Sequence, residues 1–527
     1  MPTGAEYVVE RLHHHGVRTL FGMPGSHSTA IYDAVKRQGK IQTILTRNEQ
    51  AGAFMADGYA RVSGQPGVLC TTAGPGATNA LTGVAEAYAD SVPLLLLSGQ
   101  VNHDRLFQEC GNFHEIDLEG IFAPCTKFAG TVMALNQITP VLDRAFAALR
   151  IGRPRPAAVF LPKDIMDFTS KDPSQEGEAT LPSIQLTVPE GPVRHAIDVI
   201  AESRRPIILA GGGAVSANAS AAVRQLAERL DAPIVTTLNG KGIIDERDPY
   251  SLGHVRSVRA KALLGEADLM IAIGARFTEV TTTFRTMPVP NKLIQIDLDS
   301  EQIGMNYPVL VGIVADASVA LHTLLEHLPK HKSTWGEAWE KAKRLKPAST
   351  EWLIDVLRAE LPDDAIVFTD ACEMAFRMQG DFPAYGPRSF FYPSNYIALG
   401  WGFPAALGGA VAAPHRLVAA VCGDGGFTMS TQELATAARY KLRVIAIVHN
   451  DSSYGAIKNT QKNKHEGRFV DTDLNNPDFV ALAQAYGVKG LRVRSANEFA
   501  DALRQAIQHG GPFVIEVVDS WRYLRPS

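Results

Sequence analysis

Short apolar runs, closed by glycine or a small polar residue and separated by amphipathic stretches, recur along the whole chain. The first third contains "TLFGMPG", "IQTILT", "GVLCTTAG" and "VPLLLLSGQ". The middle contains "PIILAGGG", "PIVTT", "LMIAIGA" and "KLIQIDLD". The last third contains "AIVFTD", then "LVAAV" at 417–421 and "VIAIV" at 444–448, with a helical stretch over 431–442 between them. Apolar runs of about four to eight residues, rich in Val and Ile, read as strands buried on both faces. Strand and helix in alternation predict parallel sheets covered by helices. The fold class expected is α/β, in three domains, each a mainly parallel sheet flanked by helices. Two stretches break the rhythm. Residues 168–192 are polar and rich in Pro and Gly, and 328–350 are charged and only partly helical in pattern. The expected domains are therefore 1–167, 192–327 and 351–527, with linkers at 168–191 and 328–350.

Composition narrows the class. A chain of 527 residues holds about three domains. Charged residues make up 20% and hydrophobic ones 46%, as in a globular protein, and the net charge of −4 gives nucleic acid no basic patch. No apolar stretch is long enough for a membrane span, and "MPTGAEYVVERLHHHG" reads as an amphipathic helix without a signal core. Cys70, Cys110, Cys125, Cys372 and Cys422 are scattered and odd in number, which fits reduced thiols and a cytoplasmic location. His13, His14 and His15 point different ways from a helix and read as its polar end.

The candidate chemistry lies where strands end. Asp424 follows one predicted strand and Asp451 the next, and Gly425 and Gly426 leave backbone bare beside them. Open parallel sheets bind ligands outside the carboxyl ends of their strands. Two carboxylates beside free N–H groups suit Mg²⁺ carrying a diphosphate. An isolated GDG is most often only a turn; the second acid changes that. In the first segment Glu49 opens a helix at another strand exit, where an acid also complements the helix dipole. Glycine-rich exits "FGMPGS" and "TTAGPGATN" converge on the same sheet edge. The middle "GGGAVS" is read as a tight turn, with a flavin or nucleotide left open; Asp231 lies at about the expected spacing for a ribose-binding acid but ends a helix.

"NEQAGAFMADGYAR", "TTAGPGATN", "PLLLLSGQ", "ALGWGFPAALG" and the GDG-to-Asn-Asp unit together resemble the thiamine diphosphate enzymes, acetolactate synthase and benzoylformate decarboxylase above all. The similarity spans nearly the whole chain. It implies a pyrimidine-binding, a central and a diphosphate-binding domain, with the active site between two subunits of a homodimer or homotetramer. Glu49 would then favour the imino tautomer of the aminopyrimidine, which activates the cofactor. Pro24, Gly25, Thr72, Pro75, Gly76 and Asn79 fall on the pyrimidine side. Leu399 falls under the bent cofactor, and Gly425, Gly426 and Tyr454 on the diphosphate side. Asp424, Asp451 and the Ser453 carbonyl fall on the Mg²⁺ ligands. Two departures add negative charge: Asp451 stands where Asn is usual, and Glu373 where a neutral amide is frequent. FAD is left undecided.

The substrate is expected to be a 2-oxo acid. "FHEID" resembles the synthase segment, with Phe113 and Lys127 in matching places and Arg276 kept. His114 replaces a glutamine and could donate a proton to the intermediate. Ser26 matches a substrate-contacting serine of benzoylformate decarboxylase, and Thr460 takes the place of the synthase tryptophan. Three readings follow: an acetolactate synthase-like carboligase, a decarboxylase that releases an aldehyde, and a non-catalytic paralogue, against which Glu49, Asp424 and Leu399 argue.

Overall fold

The computed structural model describes residues 1–106, 108, 111–170, 187–346 and 351–518. Cys110, positions 171–186 and 347–350 of the expected linkers, and 519–527 lie outside the described residues. The chain forms three six-stranded sheets, and every pairing between their strands is parallel.

The first sheet is built from β1 (Thr19–Gly22), β2 (Gln42–Leu45), β3 (Gly67–Thr71), β4 (Leu94–Gln100), β5 (Phe128–Thr131) and β6 (Ala157–Pro162), in the order β2-β1-β3-β4-β6-β5. The central sheet holds β7 (Pro206–Ala210), β8 (Ile234–Thr236), β9 (Ser251–His254), β10 (Leu269–Ile273), β11 (Lys292–Asp297) and β12 (Val311–Val314). Its order, β12-β11-β10-β7-β8-β9, is that of a dinucleotide-binding Rossmann sheet. The third sheet holds β13 (Ile366–Thr369), β14 (Phe390–Phe391), β15 (Val418–Gly423), β16 (Val444–Asn450), β17 (Lys489–Val493) and β18 (Phe513–Val518). Its order, β14-β13-β15-β16-β18-β17, repeats that of the first sheet strand for strand.

Helices cover both faces of each sheet, and every residue of β3, β4, β7, β10 and β13 is accordingly buried. The stretch expected as a second linker is not all linker. Trp335 and Trp339, with the helix Gly336–Arg344, pack on the central sheet beside Ile207 and Leu293. The N-terminal helix runs Gly4–His14, with Thr3 and Glu6 closing a capping box. His15 is not a solvated helix end: it is buried, stacks on Phe146 and pairs with Asp143. Among the described residues, no helix is long and apolar enough to cross a membrane, and Cys70, Cys125, Cys372 and Cys422 are free.

The first and third domains share one hydrophobic core. Its centre is the contact of the helix Glu49–Ser63 with the helix Gly402–Ala412. A Cβ on Gly58 would lie 2.0 Å from the carbonyl oxygen of Ala405, and one on Gly408 1.9 Å from that of Met55. Only glycine allows backbones this close. Met55 meeting Gly408 and Gly58 meeting Ala405 makes the pair antiparallel. At one end of it Arg61, which is buried, pairs with Asp57 and Asp90 and lies over the Trp401 ring. Burial and Asp90 push the nearby Glu86 carboxyl up to about 9.

Candidate active site

Glu49 is the first residue of its helix, and the Asn48 side chain caps that helix by accepting from the Gln50 N–H. The Glu49 side chain is buried, and its Oε2 accepts from Asn79 Nδ2 at 3.0 Å. Its Oε1 lies 3.4 Å from where a Cβ on Gly76 would stand. The "TTAGPG" exit of β3 thus passes directly beside the carboxylate. Gly25 packs against Thr72, whose hydroxyl accepts from the His27 N–H at 3.3 Å. His114 approaches from a third loop: its carbonyl oxygen is 2.9 Å from a Cβ position on Gly74, which itself has φ +58. His114 adopts φ 69, a left-handed conformation uncommon outside glycine but one that histidine takes more readily than most side chains. Pro24, Ser26 and Pro75 are exposed on these same loops.

At the third sheet, Asp424 and Asp451 follow directly on β15 and β16, which are neighbours in the sheet. Asp424 is buried; its Oδ1 accepts from the Gly425 N–H and its Oδ2 from Asn476 Nδ2 at 2.6 Å. Asp451 Oδ1 accepts from both the N–H and the hydroxyl of Ser453 at 3.1 Å. Burial first, and then the charge of Asp451, raise the Asp424 carboxyl above its ordinary range. A buried carboxylate with a second acid beside it suits a divalent cation, whose charge would favour the ionised Asp424. Gly425 must lack a side chain, since a Cβ would meet Tyr454 Cε1 at 2.5 Å. Leu399 is half-buried, and its Cδ1 lies 3.2 Å from a Cβ position on Gly426. The preceding Ile397, at φ 60, and Ser452, at φ 53 between Asp451 and Ser453, are also left-handed. Strain of this kind gathers at functional sites.

Three family models match the chain in order. They are the thiamine pyrophosphate enzyme N-terminal TPP binding domain over residues 2–120, the central domain over 193–324, and the C-terminal TPP binding domain over 371–517. A probable acetolactate synthase large subunit of Methanocaldococcus jannaschii is 37% identical across 98% of this chain and 91% of its own length. The chain belongs to the thiamine pyrophosphate enzyme family. Other members carry different names. The acetolactate synthase large subunit of Haemophilus influenzae is 34% identical over 99% of this chain and 96% of its own. A probable 2-ketoarginine decarboxylase of Pseudomonas aeruginosa is 34% identical over 98% and 94%.

For a thiamine pyrophosphate (thiamine diphosphate) enzyme, one feature of the chain stands out. Glu49 and Leu399 sit at opposite ends of the antiparallel helix pair. With about seven residues on each side of the crossing, at 1.5 Å per residue, they are roughly 20 Å apart. Lys127 is not brought to Glu49 either: it precedes β5, at the opposite end of the strands, and its ammonium donates to the carbonyls of Ile151 and Arg153. Thr460 is exposed on the helix Gly455–Lys464 and bonds the Ala456 carbonyl. Phe113 is 68% exposed and stacks on His114. Glu373 accepts from Asn459 Nδ2.

Four residues of this site escaped the sequence reading. His27 stands beside His114, with ring centroids 5.4 Å apart. Asn476 links Asp424 to Asn450. Asp370, buried at the exit of β13, accepts from the Gly400 N–H behind Leu399, and burial pushes its carboxyl up to about 6. Glu433, fully buried, accepts from the Arg47 N–H, and burial pushes it up to about 7. The third domain thereby holds the strand exit that presents Glu49.

A separate cavity of about 530 Å³ opens where the three domains meet, lined among others by Gly212, Arg153, Arg276, Asp297 and Arg388. The "GGG" turn is partly explained by packing: a Cβ on Gly213 would meet Gly274 Cα at 2.7 Å. Asp231 caps a helix and accepts from Ser333.

Proposed function

We propose that this enzyme decarboxylates a 2-oxo acid with thiamine diphosphate and Mg²⁺ and joins the retained fragment to a second carbonyl, as an acetolactate synthase. The buried Glu49 carboxylate, fixed on one oxygen by Asn79 and bare of side chains at Gly76, carries the reading. Bound there, thiamine diphosphate supplies the electron sink for the carbon–carbon bond that breaks as CO₂ leaves. Glu49 Oε1 is left to hold a proton at the pyrimidine ring while Asn79 fixes the carboxylate plane. Pro24, Gly25, Thr72, Pro75 and Gly76 let the ring lie close to backbone, and Leu399 and Tyr454 supply apolar walls. Asp424, Asp451 and the Ser453 carbonyl would hold Mg²⁺, with Gly425 and Gly426 beside the diphosphate.

Because Glu49 and Leu399 of one chain are roughly 20 Å apart, each site takes its pyrimidine side from one protomer and its diphosphate side from a second. A homodimer, or a homotetramer of two such pairs, is the working assembly. A cytoplasmic location fits this reading.

His114 and Thr460 favour a second reading, a decarboxylase that releases an aldehyde. One relative also bears such a name. Incubation with pyruvate, thiamine diphosphate and Mg²⁺, followed by a panel of branched and aromatic 2-oxo acids, separates the two. Acetolactate or acetoin supports ligation, free aldehyde supports simple decarboxylation, and no CO₂ from any of them leaves a non-catalytic paralogue. Ser26, Phe113 and Thr460 are the candidate substrate contacts.

FAD is the candidate occupant of the central cavity. Burial, then the neighbouring Arg276 and Arg155, push Arg153 down to about 10, and crowded guanidiniums there suit an anionic ligand. A yellow preparation supports FAD, and a colourless one removes it.

A further inference from the structure

Leu399 stands between two anchored backbone donors. On one side the Gly400 N–H donates to Asp370 Oδ1 at 3.1 Å, within the third domain. On the other the Ala398 N–H donates to Glu86 Oε2 at 3.0 Å, across to the first domain. Ile397, just before, adopts φ 60. For a β-branched residue that conformation is strained, and it persists only where the surroundings enforce it. Glu86 lies on the helix Pro75–Asp90, which grips the same loop again at its start. Asp90 Oδ2 accepts from the Ser394 N–H at 2.9 Å, and its Oδ1 accepts from the Ser394 hydroxyl at 2.7 Å and from Asn395 Nδ2. At the far end of the loop, Trp401 Nε1 donates to Asp57 at 3.2 Å. The other end of the helix Pro75–Asp90 carries Gly76 and Asn79, which shape the surroundings of the Glu49 carboxylate. Asn79 and Glu86 are about 10 Å apart along its axis. One helix therefore touches both of the half-sites that this chain contributes.

We propose that Glu86 is a positioning residue for Leu399: its hold on the Ala398 N–H keeps Ile397 left-handed and sets where the leucine stands against the cofactor. The proposal rests on the reading of Leu399 as an apolar wall of the thiamine diphosphate site. Asp370 alone would fix the loop only to its own domain. Glu86 fixes it to the helix that also orients Asn79. Glu86 does this as a neutral acid. It is fully buried, and Asp57 and Asp90 already share the one nearby cation, Arg61. The other titratable group facing it is Tyr392. Glu86 Oε1 has no hydrogen-bond partner and stands 3.8 Å from the Arg61 guanidinium. Burial first, and then Asp90, raise the carboxyl to about 9, so it keeps its proton near neutrality. What it offers Ala398 is a carbonyl oxygen rather than a charge.

The test uses the full chain and two variants. Glu86→Leu keeps the bulk but not the acceptor, and Glu86→Gln keeps a neutral oxygen for the Ala398 N–H. Hydrogen exchange of the cofactor-free proteins, followed by mass spectrometry, reads the loop directly. In the parent, the Ala398 amide should exchange as slowly as the helix Gly402–Ala412. Glu86→Leu should speed exchange across 397–400 about tenfold or more while that helix stays protected, and Glu86→Gln should not. With saturating thiamine diphosphate and Mg²⁺ and a 2-oxo acid that the enzyme decarboxylates, Glu86→Leu should lower kcat about tenfold or more and leave KM within about twofold, and Glu86→Gln should restore kcat. An Ala398 amide that exchanges freely in the parent overturns the proposal, even where Glu86→Leu fails to fold. So does exchange that Glu86→Leu leaves unchanged, or a Glu86→Gln variant as impaired as Glu86→Leu. Failure of the underlying reading looks different: exchange would respond to Glu86→Leu, while Leu399→Ala and Glu86→Leu both left kcat untouched.

Discussion

The first and third domains are built on the same strand order, yet their ligand edges differ in kind. In the first sheet the acid sits at the exit of the second strand, Glu49 after β2, and the loops after β1 and β3 carry no acid. In the third sheet the exit of the second strand carries Leu399, and the acids follow the first, third and fourth strands, as Asp370, Asp424 and Asp451. Even the helices after the second strands correspond, and these two pack against each other. Shared topology fixes where a ligand can approach. The residues at each exit decide what the edge can do: in the proposed function, one fixed carboxylate would do proton work and a set of oxygens would take a cation and phosphates.

The sharpest way to break this contrast is Glu49→Gln. The amide keeps the Asn79 contact's shape but not its charge, and CO₂ release should fall about a hundredfold or more, with the melting temperature nearly unchanged. Full turnover would leave the first edge without chemical purpose. Next in size is Arg61→Ala, at the joint that orients one domain on the other. It strands Asp57, Glu86 and Asp90 in the interior without their cation. Urea unfolding should show a loss of about 3–5 kcal/mol; a loss below about 1 kcal/mol would mean that the joint holds by packing alone.

Both edges were partly legible in the sequence, for physical reasons. Interior strands such as β4 and β10 are wholly buried and read as unbroken apolar runs. The edge strand β17, "KGLRV", buries only Val493, and β14 spans only Phe390–Phe391, so neither leaves a pattern. Glu49 and Asp424 stood out because glycines crowd them. The residues that hold them did not, because their partners are remote: Asn476 is 52 positions from Asp424, and Glu433 is 386 from Arg47. His27 gave no sign, since only the fold sets it against His114. Lys127 matched a pattern, but the strand it precedes points it away from Glu49.

Glu433 sharpens the comparison by linking the two domains through a proton. Its carboxyl is raised from 4.5 to about 7 in the folded chain. Between those values the folded state binds more protons than the unfolded one, so stability falls as pH rises through that window. Glu433→Gln cannot ionise and should flatten that part of the slope. The contributions of Glu86, raised to about 9, and Asp370, raised to about 6, would remain. Melting curves of the cofactor-free protein between about pH 5 and pH 8 measure this; an unchanged slope would show that Glu433 stays ionised at the joint.

Asp451→Asn carries the smallest expected effect and tests the third edge directly. The Asn oxygen can accept the same two bonds from Ser453 that Asp451 Oδ1 accepts now. What changes is one negative charge beside Asp424. That charge is part of what raises the Asp424 pKa, so Asp424 should ionise at lower pH in the variant. A cation takes only the ionised carboxylate. The acid-side loss of cofactor affinity should therefore move to lower pH. Near neutrality the affinity for thiamine diphosphate with Mg²⁺ should hold or tighten, within about tenfold. Titrations of fluorescence quenching against cofactor at several pH values read both quantities. A large loss of affinity at every pH would mean that the Asp451 charge itself is needed, and that two carboxylates rather than one are the cation's due at this edge.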